Sequence, residues 1–189
     1  MGSNRLSANT KKAGLSVALA LLLVCALVFP AACSRGETVL VSAQDVVRDL
    51  VTDYSLTDGF QFSSGSTEEG EYLDEDLIST YYGDGENVPD FTQVEDYSVY
   101  IDESNAREMC EIGLFRLKEG ADWQAFQGFL KNRIAVRLSN AKSYPDINKS
   151  TLKGAKFGHL GPYVYYVVLK EDASAVAERL DRTLLGGNG

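Results

Sequence analysis

Few residues in this chain have side chains suited to catalysis, and their spacing narrows the chemistry further. His159 is the only histidine among 189 residues, which excludes a multi-histidine metal site and a two-histidine proton relay. It stands between Gly158 and Leu160 beside a turn, with no partner in the local sequence. Cys110 lies in a strand-like run and reads as a small buried apolar residue rather than a reactive thiol. There is no Gly-x-Ser-x-Gly elbow, no glycine-rich phosphate loop and no Cys-x-x-Cys pair. The 27 carboxylates allow many acid pairs, and none is singled out. No catalytic residue, metal or cofactor is therefore expected. An envelope enzyme working through paired carboxylates stays as an alternative to a binding domain.

Two charged groups have a more definite placement. Arg133 and Arg137 are one helical turn apart and fall on the apolar side of a long helix, near Phe126 and Leu130. A guanidinium there must snorkel to the edge or meet a carboxylate, and Glu111 on the preceding strand is the expected partner. The three residues read as a structural ion pair, or alternatively as a pocket for an anionic ligand. The second group is Glu68, Glu69, Glu71, Asp74, Glu75, Asp76, Asp84 and Glu86. From Asp53 to Glu103 there are 15 acidic residues and no lysine or arginine. The spacing lacks the glycine and final glutamate of an EF-hand, so the acids read as a solvated face and an interaction surface rather than a calcium site. The ten tyrosines raise sugar stacking as a further alternative, although most fall at core positions and there is one tryptophan, Trp123.

These residues need elements to position them. Trp123, Phe126, Leu130, Ile134, Leu138, Ala141 and Tyr144 repeat with helical period from Gly120 to Tyr144, opposite Gln124, Gln127, Lys131 and Lys142. Asp122 opens that helix and Pro145 closes it. Ser42 caps an earlier helix over Ala43 to Tyr54, and Leu73 to Tyr82 forms another. Strands are expected at Tyr97 to Ile101 and Glu108 to Leu117, with one short strand at Phe60 to Phe62. A second hairpin joins Ala155 to Leu160 with Tyr163 to Leu169 around Gly161-Pro162, the latter strand apolar on both faces. Glu171 to Leu185 closes the domain as a helix, with Ala175, Val176, Leu180, Leu184 and Leu185 inward. The expectation is an α+β domain in β-β-α-β-β-α order, preceded by two N-terminal helices. Its mostly antiparallel sheet has about four strands and carries its helices largely on one face.

The N-terminus reads as a targeting segment. Arg5, Lys11 and Lys12 precede an apolar run from Ala13 to Ala32 that ends in small residues before Cys33. Residues 1–32 are expected to be a removed signal peptide, 33–41 a lipidated cysteine and tether, 42–185 one globular domain and 186–189 a disordered tail. Ala31-Ala32-Cys33-Ser34 resembles the lipobox of bacterial lipoproteins, with Pro30 where that pattern has an aliphatic residue. Acylation of Cys33 would leave an exported protein on the extracytoplasmic face of the cell membrane. Without the leader, 15 basic residues face 27 acidic ones, a balance that argues against nucleic acid as a partner and against direct adhesion to anionic lipid, so that tethering falls to Cys33.

Tyr72-Leu73-Asp74-Glu75-Asp76-Leu77, Tyr82-Gly83, Glu111 to Arg116, Asn132-Arg133, Tyr144-Pro145 and Gly161-Pro162-Tyr163-Val164 follow that leader in order. Together they resemble the bacterial lipoproteins grouped as domain of unknown function 4358, over about Ala43 to Leu180. The resemblance implies a secreted, membrane-anchored domain and assigns no activity and no catalytic residue. On this reading the chain is a non-enzymatic binding or adaptor domain, with an envelope protein as its partner.

Overall fold

The computed structural model describes residues 38–102, 109–143 and 148–187. The leader, Cys33 and most of its tether, the loop after Asp102, the Tyr144-Pro145 helix stop and the end of the tail lie outside the described residues. Five antiparallel strands form one sheet: β1 (Phe60–Ser63), β2 (Val94–Asp102), β3 (Cys110–Leu117), β4 (Lys156–Leu160) and β5 (Tyr163–Val168), in the order β1-β2-β3-β5-β4. Among the described residues five α-helices accompany them: α1 (Ala43–Asp53), α2 (Glu75–Tyr82), α3 (Trp123–Asn140), α4 (Lys149–Lys153) and α5 (Ala173–Leu184). The expected order of strands and helices holds, with β1 a full member of the sheet and α4 an additional short helix.

The helix starts follow from local hydrogen bonds. Ser42 accepts from the amide of Asp45, Asp74 from Leu77, and Asp122 from Gln124 and Ala125, each satisfying amides the helix itself leaves open.

The layering differs from the expectation, because helices cover both faces of the sheet. On one face α2, α3 and α4 pack against Phe62, Tyr97, Val99, Phe115, Val164 and Tyr166. On the other, α1 and α5 pack against Tyr100, Ile112, Leu114, Tyr163, Tyr165 and Val167. The cause is alternation along β3 and β5, every residue of β5 being buried. A strand apolar on both sides has to be covered twice. Each fully buried leucine, isoleucine or phenylalanine contributes about 1.5–3 kcal/mol relative to exposure, so the two half-cores carry comparable weight.

Smaller corrections have similar causes. Gln127, expected on the polar side of α3, is buried and points toward the carbonyl of Gly158 on the edge strand. In α5 the inward face is Ala173, Val176, Leu180 and Leu184; Ala175 and Leu185 point outward.

Two strand glycines allow close approach of aromatic rings. Gly113 pairs with Tyr166 and Gly158 with Tyr165, and in each pair the tyrosine ring lies over the glycine. The rings occupy opposite faces, one in each half-core.

Candidate functional site

The structure brings Glu111, Arg133 and Arg137 together beneath the sheet. Alternation in β3 puts Glu111 on the same face as Gly113 and Phe115, and α3 crosses that face with its two arginines one turn apart. Arg133 Nε donates to Glu111 Oε2 at 2.7 Å, and Arg137 Nη1 donates to Glu111 Oε1. Tyr166 donates its hydroxyl to Glu111 Oε2 at 2.9 Å, and the Tyr82 and Tyr166 hydroxyls lie 3.1 Å apart. Arg133 also donates to the carbonyl of Tyr81, with its guanidinium 4.6 Å from the Tyr81 ring centroid. Arg137 reaches the Met109 sulfur.

Glu111 is fully buried. Burial pushes its pKa up, but the charges of Arg133 and Arg137, with hydrogen bonds from Arg133 and Tyr166, outweigh burial and hold it below its ordinary value. The carboxyl is thus an anion at neutral pH and accepts three donors. Burial raises the Tyr166 hydroxyl well above its ordinary range, so that group stays a donor. This arrangement locks a helix to a sheet. Both carboxylate oxygens are engaged by arginine, and Arg133 is itself buried.

An open groove lies at one end of the sheet, on the opposite face. Its cavity of about 440 Å³ is walled by Tyr54, Tyr100, Asp102, Cys110, Lys170 and Asp172, among others. The walls come from the end of α1, the ends of β2 and β3, and the turn between β5 and α5. No single stretch of sequence signals it. Asp58 and Glu171 also line it, making four carboxylates around one space.

Ser55 and Asp172, the two non-glycine residues with positive φ among the described residues, both line this groove. Ser55 (φ 52°) ends α1: Leu56 donates to the Val51 carbonyl and Ser55 to Thr52. That pair of bonds is the Schellman motif, whose left-handed position favours glycine. Ser55→Gly should stabilise the protein by about 1 kcal/mol, read as a higher urea midpoint with an unchanged slope. Asp172 opens α5 in the same left-handed conformation, without a capping bond from its own side chain.

Burial raises the Cys110 thiol to about 12, with the carboxylates of Asp102 and Glu111 adding to the effect. In the folded chain at pH 7, Cys110 should therefore resist maleimide and label only after unfolding in urea, as read by peptide mass. Labelling of the native protein within minutes would show that the strand end opens.

All eight residues of the acidic set are exposed. Several have local duties: Asp74 caps α2, Asp84 accepts the amides of Glu86 and Asn87, and Glu71 accepts the Ser66 hydroxyl. Hydrogen bonds from Asn87 first, then Glu86, lower the pKa of Asp84. Among the described residues, no group of three or more histidines, cysteines or carboxylates is arranged to hold a metal.

Sequence reasoning missed the contact made by His159. Its ring stacks on Trp123 with centroids 3.8 Å apart and planes 3° from parallel. The residues are distant in sequence, and no local signal pairs them. One face of the only indole is thus covered by protein, which weakens the sugar-stacking alternative.

Among the described residues no helix is long and apolar enough to cross a membrane. No family model, no curated protein and no solved structure matches the chain.

Proposed function

We propose that this chain is an exported domain, tethered to the membrane by lipid at Cys33, that binds a basic partner at the cell envelope through its acidic flank. One observation carries the reading. The exposed carboxylates of the β1–α2 region lie in a segment, residues 54–102, that contains no lysine or arginine. Uncompensated charge of one sign attracts a partner of the other and speeds its encounter. The leader before Cys33 and the resemblance to secreted lipoproteins support export and anchoring.

In-cell crosslinking of the tagged full-length protein, followed by mass spectrometry, tests this. The informative variant carries Glu68→Gln, Glu69→Gln, Glu75→Gln, Asp76→Asn and Glu86→Gln, keeping Asp74 and Asp84 for their backbone hydrogen bonds. One recurrent basic partner, lost in that variant and weakened by salt, is the expected outcome. A partner retained after neutralisation, or none at all, overturns the assignment of this flank.

The groove supports a second reading. Its volume lies in the range of small-molecule sites, and Asp58, Asp102, Glu171 and Asp172 make it acidic. A small cationic ligand suits it. Spermidine should then raise the melting temperature of the wild type and not of Asp58→Asn with Asp102→Asn; an equal shift in both would exclude the groove.

A further inference from the structure

The described residues open with a segment, outside any helix or strand, that is hydrogen-bonded to the domain. Val39 donates to the carbonyl of Leu184 at 2.9 Å. The buried hydroxyl of Tyr163 accepts from the amide of Val41 at 2.8 Å and donates to the carbonyl of the same residue at 3.1 Å. Thr38 sits against Gly161, whose φ of 55° makes the β4–β5 turn. Yet the side chains this segment presents are apolar and open to solvent. Leu40 is 74 % exposed, Val39 40 %, and Leu185, just past the end of α5, 42 %. Hydrogen bonds at Val39 and Val41, on either side of Leu40, and the closeness of Val39 to Gly186 hold this segment against the end of α5. Arg182, exposed in the last turn of α5, stands beside it.

Resting on the proposed acylation of Cys33, we infer that Val39, Leu40 and Leu185 sit in the lipid surface, standing the sheet on end with its groove facing away from the membrane. The chain length sets the constraint. Five peptide units separate Cys33 from Thr38, a reach of at most about 18 Å. An acylated Cys33 therefore keeps this end of the domain within that distance of the bilayer, where exposed aliphatic side chains gain by leaving water. Exposed Arg182 can extend its guanidinium toward lipid phosphates while its stem stays beside Leu185. The opposite end follows from strand direction. β5 runs from Tyr163, beside the patch, to Val168, which leads into the groove residues Leu169 and Lys170. Six strand residues place the groove roughly 17 Å or more further from the lipid.

The test uses the full-length chain, purified from membranes and reconstituted in phosphatidylglycerol–phosphatidylcholine vesicles. Leu40→Cys, and separately Leu185→Cys, is labelled with an environment-sensitive fluorophore; Thr57→Cys in the groove wall is the comparison site. Acylation blocks Cys33 and burial protects Cys110, so the new thiol takes the label. Expected are blue-shifted emission at positions 40 and 185 and at least threefold weaker iodide quenching than at 57. A membrane-bound protein quenched equally at all three positions overturns the inference and leaves the anchor intact. Protection at 40 that persists in detergent with 40-to-40 crosslinks also overturns it, assigning the patch to a second copy. A chain whose Cys33 peptide carries no lipid by mass, and which washes off the vesicles, overturns the anchor and this inference together.

Discussion

Glu111→Ala should destabilise the protein by about 3–5 kcal/mol, because it leaves Arg133 charged and buried without its carboxylate. That is a large share of the roughly 5–15 kcal/mol available to a domain. For a domain near this size, the melting temperature should fall by roughly 6–20 °C. Urea denaturation gives the value directly. The loss would arise from the stranded arginine rather than from a missing attraction, and a second variant separates the two. Glu111→Leu combined with Arg133→Met removes both charges and fills similar space, so most of the stability should return. Arg137, closer to the surface with 16 % of its side chain exposed, can redirect its guanidinium to solvent. A Glu111→Ala protein within about 0.5 kcal/mol of wild type would show that the arginine finds water or another acceptor, and the locking role would be lost.

The same site sets an acid limit. The folded pKa of Glu111 is depressed below the ordinary 4.5. A depressed carboxylate contributes stability that is complete above its unfolded value and lost as pH falls through its folded value. Wild type should therefore lose stability below about pH 4.5 more steeply than the Glu111→Leu, Arg133→Met double variant. Parallel pH profiles for the two would assign the acid sensitivity to other carboxylates.

Gly113→Ala should cost about 3 kcal/mol, at the upper end of what overpacking a core does. An added Cβ would lie 2.8 Å from Cδ1 of Tyr166 and still closer to the next ring atom. The ring has little room to yield: Tyr166 is fully buried, and its hydroxyl is held by Glu111 and Tyr82. Displacing it should also pull the hydroxyl off the carboxylate, so the variant should acquire part of the Glu111→Ala phenotype. A double-mutant cycle between Gly113→Ala and Glu111→Ala would then show coupling of at least about 0.5 kcal/mol. Simple additivity would confine the clash to packing.

How much of this was legible in the sequence depended on range. The four-residue spacing of Arg133 and Arg137 and the alternation of Glu111 with its strand neighbours are local patterns. Together they were enough to expect the three to meet. Tyr82 and Tyr166 were not anticipated as members of that cluster. A tyrosine at a core position reads as a ring, and nothing local shows where its hydroxyl will point. The second layer of helices was missed for a different reason. Here the signal was local, since Tyr163 to Leu169 reads as apolar on both faces and so calls for cover on both sides, but the helices were still assigned largely to one face. The groove was least visible, since its walls meet only when four chain segments converge. Ser55 gave no warning either, because serine rarely marks a left-handed helix end, whereas a glycine there would have.

The strand order has one more consequence, for the newborn chain. β5 follows the other four strands in the chain, yet it pairs with β3 and β4, and both half-cores draw residues from it. Until residue 168 has emerged, β3 has one partner and an open edge, and Glu111 lacks Tyr166. Neither half-core can close before β5 is in place, so folding of the domain waits for residues 163–168. The residues that precede β5 therefore stay uncommitted while it is still being made, and a chaperone would have that interval in which to hold them.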